Sequence, residues 1–124
     1  MCVTKLLVVL LSGLGFGLAQ SCDNPKSEFD SLYCVVQEFQ QSDKELNDAY
    51  KELIGKLNPE GQTLLRTSQR RWIRERDKAS AAVLEGKTVF YMSTATDMTK
   101  ERTAFLKARL RECNSTGCVN AKLR

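Results

Sequence analysis

The segments that decide the fold are Asp43–Tyr50, which reads DKELNDAY, and Gln69–Asp77, which reads QRRWIRERD. Apolar residues around the first segment recur at alternating steps of three and four, the spacing of one face of an α-helix. They are Phe29, Leu32, Val36, Phe39, Leu46, Tyr50, Leu53 and Leu57. Only Asp43 interrupts this run, so the pattern predicts one long helix that begins near Ser27, with Asp43 on its inward face.

A second helical stripe begins after Asn58-Pro59, a capping residue followed by a residue suited to the first helical turn. Its members are Leu65, Gln69, Trp72, Arg76, Ala79 and Val83. We expect this helix to run from about residue 59 to residue 84 and to end at Gly86, which tolerates the left-handed conformation. If the two helices are antiparallel, facing residues have numbers that sum to about 118, which places Asp43 opposite Arg76.

This register predicts an ion pair between Asp43 and Arg76 on a buried face, with Asn47, Tyr50 and Gln69 nearby. A buried carboxylate is costly unless it is paired, and a guanidinium offers a planar fork that fits it. Loss of Arg76 would then cost about 3–5 kcal/mol of stability. The simpler interpretation is that the network only fixes the register of the helices.

A third helix is predicted from a stripe on which Arg102 again occupies an inward position. The other members are Ala95, Met98, Leu106 or Phe105, and Leu110. Between the second and third helices, Thr88–Tyr91 has strand-like residues but no evident partner strand. The predicted fold is all-α: a three-helix up-down-up antiparallel bundle with a long N-terminal helical hairpin.

Residues 1–19 have the features of a signal peptide. Lys5 precedes the apolar run Leu6–Leu11, and small residues lead to a cleavage site after Ala19. We expect export to the periplasm or beyond the cell, a single domain over residues 20–124 and no transmembrane segment, since this stretch is too short to span a bilayer. Lipidation at Cys22 is disfavoured because Gln20 occupies a position that requires a small side chain.

Cleavage would remove Cys2 and leave four of the five cysteines. An even number of cysteines in an exported chain indicates disulfides, and four allow three pairings. If the third helix runs parallel to the first, Cys113 lies too far from Cys34 for a bond. We therefore predict the bonds Cys22–Cys34 and Cys113–Cys118 rather than a zinc site.

Three ordered groups of residues resemble the LprI-like lysozyme inhibitor family of exported bacterial proteins. The residues that carry the resemblance are Asp43, Asn47, Tyr50, Gln69, Trp72, Arg76, Asp77, Thr99 and Arg102. The resemblance covers nearly all of the chain after the signal peptide. It implies a small helical domain of the cell envelope that inhibits lysozyme. Many relatives carry cysteines at the positions of Ser80 and Thr94, so a further disulfide of the family is missing here.

Enzymatic activity is not expected. The chain has no histidine, which removes the commonest general base and the commonest metal ligand. The remaining cysteines are expected to be oxidised, so no thiolate nucleophile is left. We predict no catalytic residues, no metal and no cofactor.

Binding is better supported, because cations recur every four residues along the second helix. This stripe consists of Arg66, Arg70, Arg74 and Lys78, with Arg71 beside them. Such a stripe is most often a solvated flank, but its continuity suggests an anionic partner. Nucleic acid is a poor candidate because the protein is predicted to be exported and no aromatic residues lie between the cations.

Two functions therefore compete. The first is inhibition of a lysozyme-type muramidase, with the cationic stripe and residues 85–93 as contact surfaces. The second is an envelope adaptor that binds another protein or an anionic cell-wall polymer. The sequence names neither the target nor the oligomeric state.

Overall fold

The computed structural model describes residues 22–124. It contains three helices, α1 (Glu28–Lys56), α2 (Pro59–Ser80) and α3 (Met92–Ser115). Two short strands, β1 (Ala81–Leu84) and β2 (Lys87–Phe90), separate α2 from α3, and a 3₁₀ helix (Asn120–Leu123) follows α3. The predicted signal peptide lies outside the described residues.

Helix α1 begins where its capping residues predict and continues without a break. The Ser27 hydroxyl accepts a hydrogen bond from the Asp30 N–H at 3.0 Å, which satisfies an orphan donor of the first turn. Further along, the Ser42 hydroxyl donates to the Glu38 carbonyl at 2.8 Å, so this residue is absorbed into the helix rather than capping a new one.

Helix α2 begins at a tight corner that requires glycine. Asn58 caps it by accepting from the Gly61 N–H at 2.8 Å, with Pro59 in the first turn. A Cβ on Gly61 would lie 2.5 Å from the Asn120 Oδ1, so any other residue would force the Asn120 side chain to move. The C-terminal segment is thereby packed against the start of α2.

The expected end of α2 at residue 84 is wrong, because the helix stops at Ser80 and residues 81–90 form a β-hairpin. Strands β1 and β2 are antiparallel, and Ala82 is paired with Val89. Glu85 and Gly86 form the turn, both with positive φ (51° and 76°), as in a two-residue hairpin loop that matches strand twist. Gly86 therefore turns a hairpin instead of ending a helix.

The predicted up-down-up bundle is confirmed, with α1 and α3 parallel. Contacts between them join residues 62 positions apart: the Lys100 Nζ lies 2.5 Å from the Glu38 Oε1, and the Lys107 Nζ lies 3.8 Å from the Glu45 Oε2. A constant offset means that the two helices run in the same direction with the same rise per residue. Each residue of α3 therefore lies beside the residue of α1 whose number is about 62 lower.

The apolar core occupies only one half of the bundle. Leu53, Leu65 and Leu106 are fully buried there, and Leu123 of the 3₁₀ helix closes the end. The predicted stripe of α1 is not buried along its whole length, since Phe29 and Leu32 are 71% and 60% exposed. No described element covers the first turns of α1.

Both predicted disulfides are present in the structure. Cys22 and Cys34 are joined with their Cα atoms 5.5 Å apart, and Cys113 and Cys118 with theirs 4.1 Å apart. The first bond ties the N-terminal arm to α1, and the second closes a short loop after α3. Within residues 22–124, no helix has the length and apolar character needed to cross a bilayer.

Candidate functional site

A cleft of about 450 Å³ opens between α1 and α2, where the two helices diverge. Six of the nine residues that carry the family resemblance line it: Asp43, Asn47, Tyr50, Gln69, Trp72 and Arg76. The remaining lining residues are Leu46, Arg66, Arg70 and Ile73. Residues 43–50 and 69–77, which are separated in sequence, thus form the two walls of a single site.

The Asp43–Arg76 pair is present but is neither tight nor buried. The Arg76 Nη1 lies 3.8 Å from the Asp43 Oδ1, and the aspartate side chain is 44% exposed while the arginine is 14% exposed. Arg76 instead directs its Nε and Nη2 to the Asp77 Oδ1, at 3.0 and 2.9 Å. Asn47 donates to Asp43 at 3.1 Å. The predicted pair is therefore present, but it is half-exposed rather than buried, because Asp43 lies at the rim of an open cleft.

Arg102 does not line the cleft but forms hydrogen bonds to residues of α2 beside it. Its Nε donates to the Gln69 Oε1 at 3.0 Å and its Nη2 to the Ser68 Oγ at 2.8 Å. Burial, and then the nearby charge of Arg71, lower the pKa of Arg102 from its ordinary value. It forms no ion pair with any carboxylate of residues 22–124. Arg102 therefore holds the buried Gln69 in place through neutral acceptors.

Guanidinium groups and aromatic rings alternate across the three helices. Arg76 lies over the rings of Phe39 and Trp72, at 6.0 and 5.1 Å from their centroids. Arg102 lies over Trp72 and Phe105, at 6.0 and 4.7 Å. Cations over aromatic faces are attracted to the ring quadrupole. The Trp72 ring is thus fixed between two cations at the base of the cleft.

Besides Arg102, two of the nine family residues do not line the cleft. Thr99 is completely buried in α3 and its hydroxyl donates to the Ala95 carbonyl at 2.7 Å, so it packs in the bundle rather than in the cleft. Asp77 is exposed and reaches the site only through Arg76. Ser80 is fully buried, and its hydroxyl has no hydrogen-bond partner among residues 22–124.

The cationic stripe of α2 borders the cleft along only part of its length. Arg66 and Arg70 line the cleft. Arg71 lies on another side of α2, beside Ser68 and Arg124, and pairs loosely with Glu75 at 3.8 Å. The other two members, Arg74 and Lys78, are exposed and line neither depression.

The cleft carries more positive than negative charge. Three arginines line it, Arg66, Arg70 and Arg76, against the single carboxylate of Asp43. Asp77 offsets part of the Arg76 charge, but Arg70 forms no ion pair with a carboxylate of residues 22–124. Such an arrangement can hold an anion.

The β-hairpin is a second candidate surface, and it stands clear of the helices. Eight of the ten residues 81–90 are exposed. At its outer end Val83 is 71% and Leu84 52% exposed, followed by the turn and then Lys87. Because successive side chains of a strand point to opposite faces, these two residues expose apolar surface on both faces of the hairpin.

Sequence reasoning identified most of the residues that line the cleft but missed Ile73 and the hairpin. Ile73 falls outside the predicted buried stripe, yet it lines the cleft. The hairpin could have been found from Glu85-Gly86 between two runs of strand-forming residues, a pattern close to the Asp-Gly turn. Among residues 22–124, no group of three or more His, Cys, Asp or Glu side chains could hold a metal ion.

Comparison with known proteins gives one family. A family model described as "Lysozyme inhibitor LprI" matches residues 22–106, a range that includes every residue of the cleft and the whole hairpin. Neither the curated proteins nor the solved structures contain a match to the chain.

Proposed function

Because the chain belongs to the LprI lysozyme inhibitor family, we propose that it is an exported, non-enzymatic protein that inhibits a lysozyme-type muramidase. The family match carries this proposal. The two disulfides agree with an oxidising compartment outside the cytoplasm. The signal peptide over residues 1–19 and the single domain over residues 20–124 are parts of the same proposal.

The β-hairpin is the surface that we propose to enter the muramidase. A substrate cleft is concave, so a blocking protein must present something convex, and the hairpin is the exposed projection of this chain. Val83 and Leu84 would provide the apolar contacts that dominate binding energy at such interfaces.

The charges around the hairpin fit an acidic cleft. Glycoside hydrolases work with a pair of carboxylates on either side of the scissile bond. Lys87 lies in the hairpin, and Arg74 and Lys78 lie on the last turns of α2 that lead into it. On those turns Glu75 pairs with Arg71 and Asp77 with Arg76, and Glu85 is the one acid of the hairpin turn. These cations would oppose the catalytic carboxylates at short range.

Long-range steering would contribute little to this complex. The chain has a formal net charge of +4, and removal of Lys5 with residues 1–19 would leave it at +3. A basic muramidase would therefore not attract it from a distance. Affinity would depend on slow dissociation through short-range contacts at the hairpin.

The test is a titration of lytic activity with the purified, oxidised domain, using one host-type lysozyme and one bacterial muramidase. We expect stoichiometric inhibition of at least one of them. The double variant Val83→Ser with Leu84→Ser should weaken inhibition by about tenfold or more, since each removes an exposed apolar anchor. Lys87→Glu should weaken it through repulsion of the acidic cleft.

Two matched variants serve as controls. Val119→Ser removes an exposed apolar side chain at the opposite end of the bundle, and Lys51→Glu reverses an exposed charge on α1. Neither should change inhibition. If the hairpin variants inhibit as well as the wild-type chain, the hairpin is not the contact surface. If the wild-type chain binds neither enzyme, the muramidase assignment fails.

An anionic cell-wall polymer is the second candidate partner. Arg70, Arg74 and Lys78 form no ion pairs with carboxylates of residues 22–124, so their charge is available to a polymer. Binding of this kind should weaken steeply as salt rises, because exposed charges are screened. Reversal of both Arg70 and Arg74 to Glu should abolish it, and unchanged polymer binding would eliminate this candidate.

A further inference from the structure

The α1–α2 cleft has the properties of a ligand site that is separate from the hairpin. Arg66 and Arg70 lie one helical turn apart on the same wall, a spacing at which like charges repel. Arg66 donates only to the neutral Gln62, and Arg70 forms no ion pair with a carboxylate of residues 22–124. An anion placed between them would relieve this repulsion and accept hydrogen bonds from both guanidinium groups.

The cleft also offers an apolar floor beside its cations. Leu46 and Trp72 lie at the base and Ile73 on the α2 wall, and the cleft is of a size usual for sites that hold a small organic molecule. The Trp72 ring is contacted by Arg76 and Arg102, which lie over it. A bare inorganic anion would leave this floor unfilled.

The guanidinium groups and the apolar floor together favour an organic carboxylate. A carboxylate carries one negative charge and two oxygens that match a guanidinium fork. Arg66, Arg70 and Arg76 outnumber Asp43, so the charge of the cleft attracts anions in general, and the apolar floor is what favours an organic carboxylate over inorganic phosphate.

We propose that this cleft binds a carboxylate attached to an apolar body about the size of one amino acid. Arg70 and Arg66 hold the carboxylate, and Leu46, Trp72 and Ile73 contact the apolar part. The site is independent of muramidase inhibition through the hairpin, so the two proposals can fail separately.

Trp72 makes the test direct, because it is the only tryptophan of the chain. Its indole N–H signal in an NMR spectrum, and its fluorescence, report on the cleft alone. The probes are N-acetyl-leucine, its neutral amide, acetate and inorganic phosphate, all at one ionic strength. We expect N-acetyl-leucine to shift the indole signal with a dissociation constant in the low millimolar range, as suits so small a ligand.

The other probes separate the contributions of charge and of apolar body. The amide should bind at least about tenfold more weakly than the acid, because it loses the charge-assisted hydrogen bonds. Acetate and phosphate should fail to saturate, since neither fills the apolar floor. Equal binding of acid and amide, or binding of phosphate as tight as that of N-acetyl-leucine, would overturn the proposal.

Two arginines on the same helix give a matched pair of variants. Arg70→Glu reverses a charge inside the cleft, and Arg74→Glu reverses one outside it, four residues further along. Both are exposed, so both variants should fold. We expect Arg70→Glu to weaken binding of N-acetyl-leucine by about tenfold or more and Arg74→Glu to change it by less than about twofold. Equal effects would show that the carboxylate only senses the general charge of α2.

The carboxylate could belong to a chain terminus or to an acidic side chain. Acetyl-Ala-Leu with a free C-terminus tests the first source. Acetyl-Leu-Glu with an amidated C-terminus tests the second. Binding of either peptide at the Trp72 signal supports the proposal and identifies the source, whereas binding of neither contradicts it.

Discussion

The two ends of this bundle are built from similar residues and have opposite properties. At the closed end, where α1 meets α2 and the 3₁₀ helix, Leu53, Leu65 and Leu123 are almost completely buried. At the open end, which comprises the first turns of α1 and the hairpin, Phe29 and Val83 are largely exposed. Both ends present apolar side chains, but only the closed end has elements to cover them.

The two ends therefore have different roles: the closed end stabilises the fold, and the open end is available to a partner. Burial of apolar surface is the main stabilising term of folding, so the closed end carries most of the stability of the domain. Exposed apolar surface at the open end contributes little to folding and is available to a partner. The α1–α2 cleft lies between the two ends, with a packed base and an open rim.

The largest expected effect contrasts one leucine from each end. Leu53→Ala should lower the free energy of unfolding by about 2–5 kcal/mol, because it leaves a cavity among fully buried neighbours. Leu32→Ala removes the same group from an exposed position and should cost less than about 0.5 kcal/mol. Denaturant unfolding of both variants measures the difference. Equal losses would mean that the open end is packed in solution.

The next largest effect on the free energy of unfolding is expected at Arg102, which donates hydrogen bonds to residues of α2 beside the cleft. Arg102→Leu should cost about 1–3 kcal/mol, because the buried Ser68 and Gln69 lose the donor that satisfies them. Arg111→Leu, at an exposed position on the same helix, is the matched control and should be nearly neutral. Thermal unfolding separates the two variants. Similar midpoints for both would show that Arg102 does not hold the cleft wall.

The smallest effect on stability is expected at Arg76, the residue for which the sequence predicted a buried ion pair. Arg76→Met should cost about 1 kcal/mol or less, because Asp43 remains solvated after its distant partner is removed. A buried ion pair would instead give about 3–5 kcal/mol. Chemical denaturation of this variant decides between an open rim and a buried pair, and a loss near the upper value would restore the buried pair.

Spacing and capping residues were sufficient to predict the bundle. The repeat from Leu46 to Leu57 and the Asn58-Pro59 corner predict the antiparallel pair, and helix direction predicts both disulfides. These features depend on local chemistry and on the constant rise of a helix. Their physical cause is contained in the sequence itself.

Burial was predicted less well, because it depends on which elements overlap. Phe29 follows the same period as Leu53, yet nothing described covers it. Asp43 lies on the inward face, yet the helices diverge there and leave it at a rim. The hairpin was missed because an apolar run of this length fits a helix as well as a strand, and the Glu85-Gly86 turn decides between them.

The most direct test of the division between the two ends is amide hydrogen exchange of the oxidised domain, alone and with an inhibited muramidase. In the free chain we expect slow exchange around Leu53 and Leu65 and fast exchange in residues 81–90. In the complex, protection should appear in the hairpin and leave the closed end unchanged. Protection confined to the closed end, with a hairpin that exchanges as fast as before, would contradict the account.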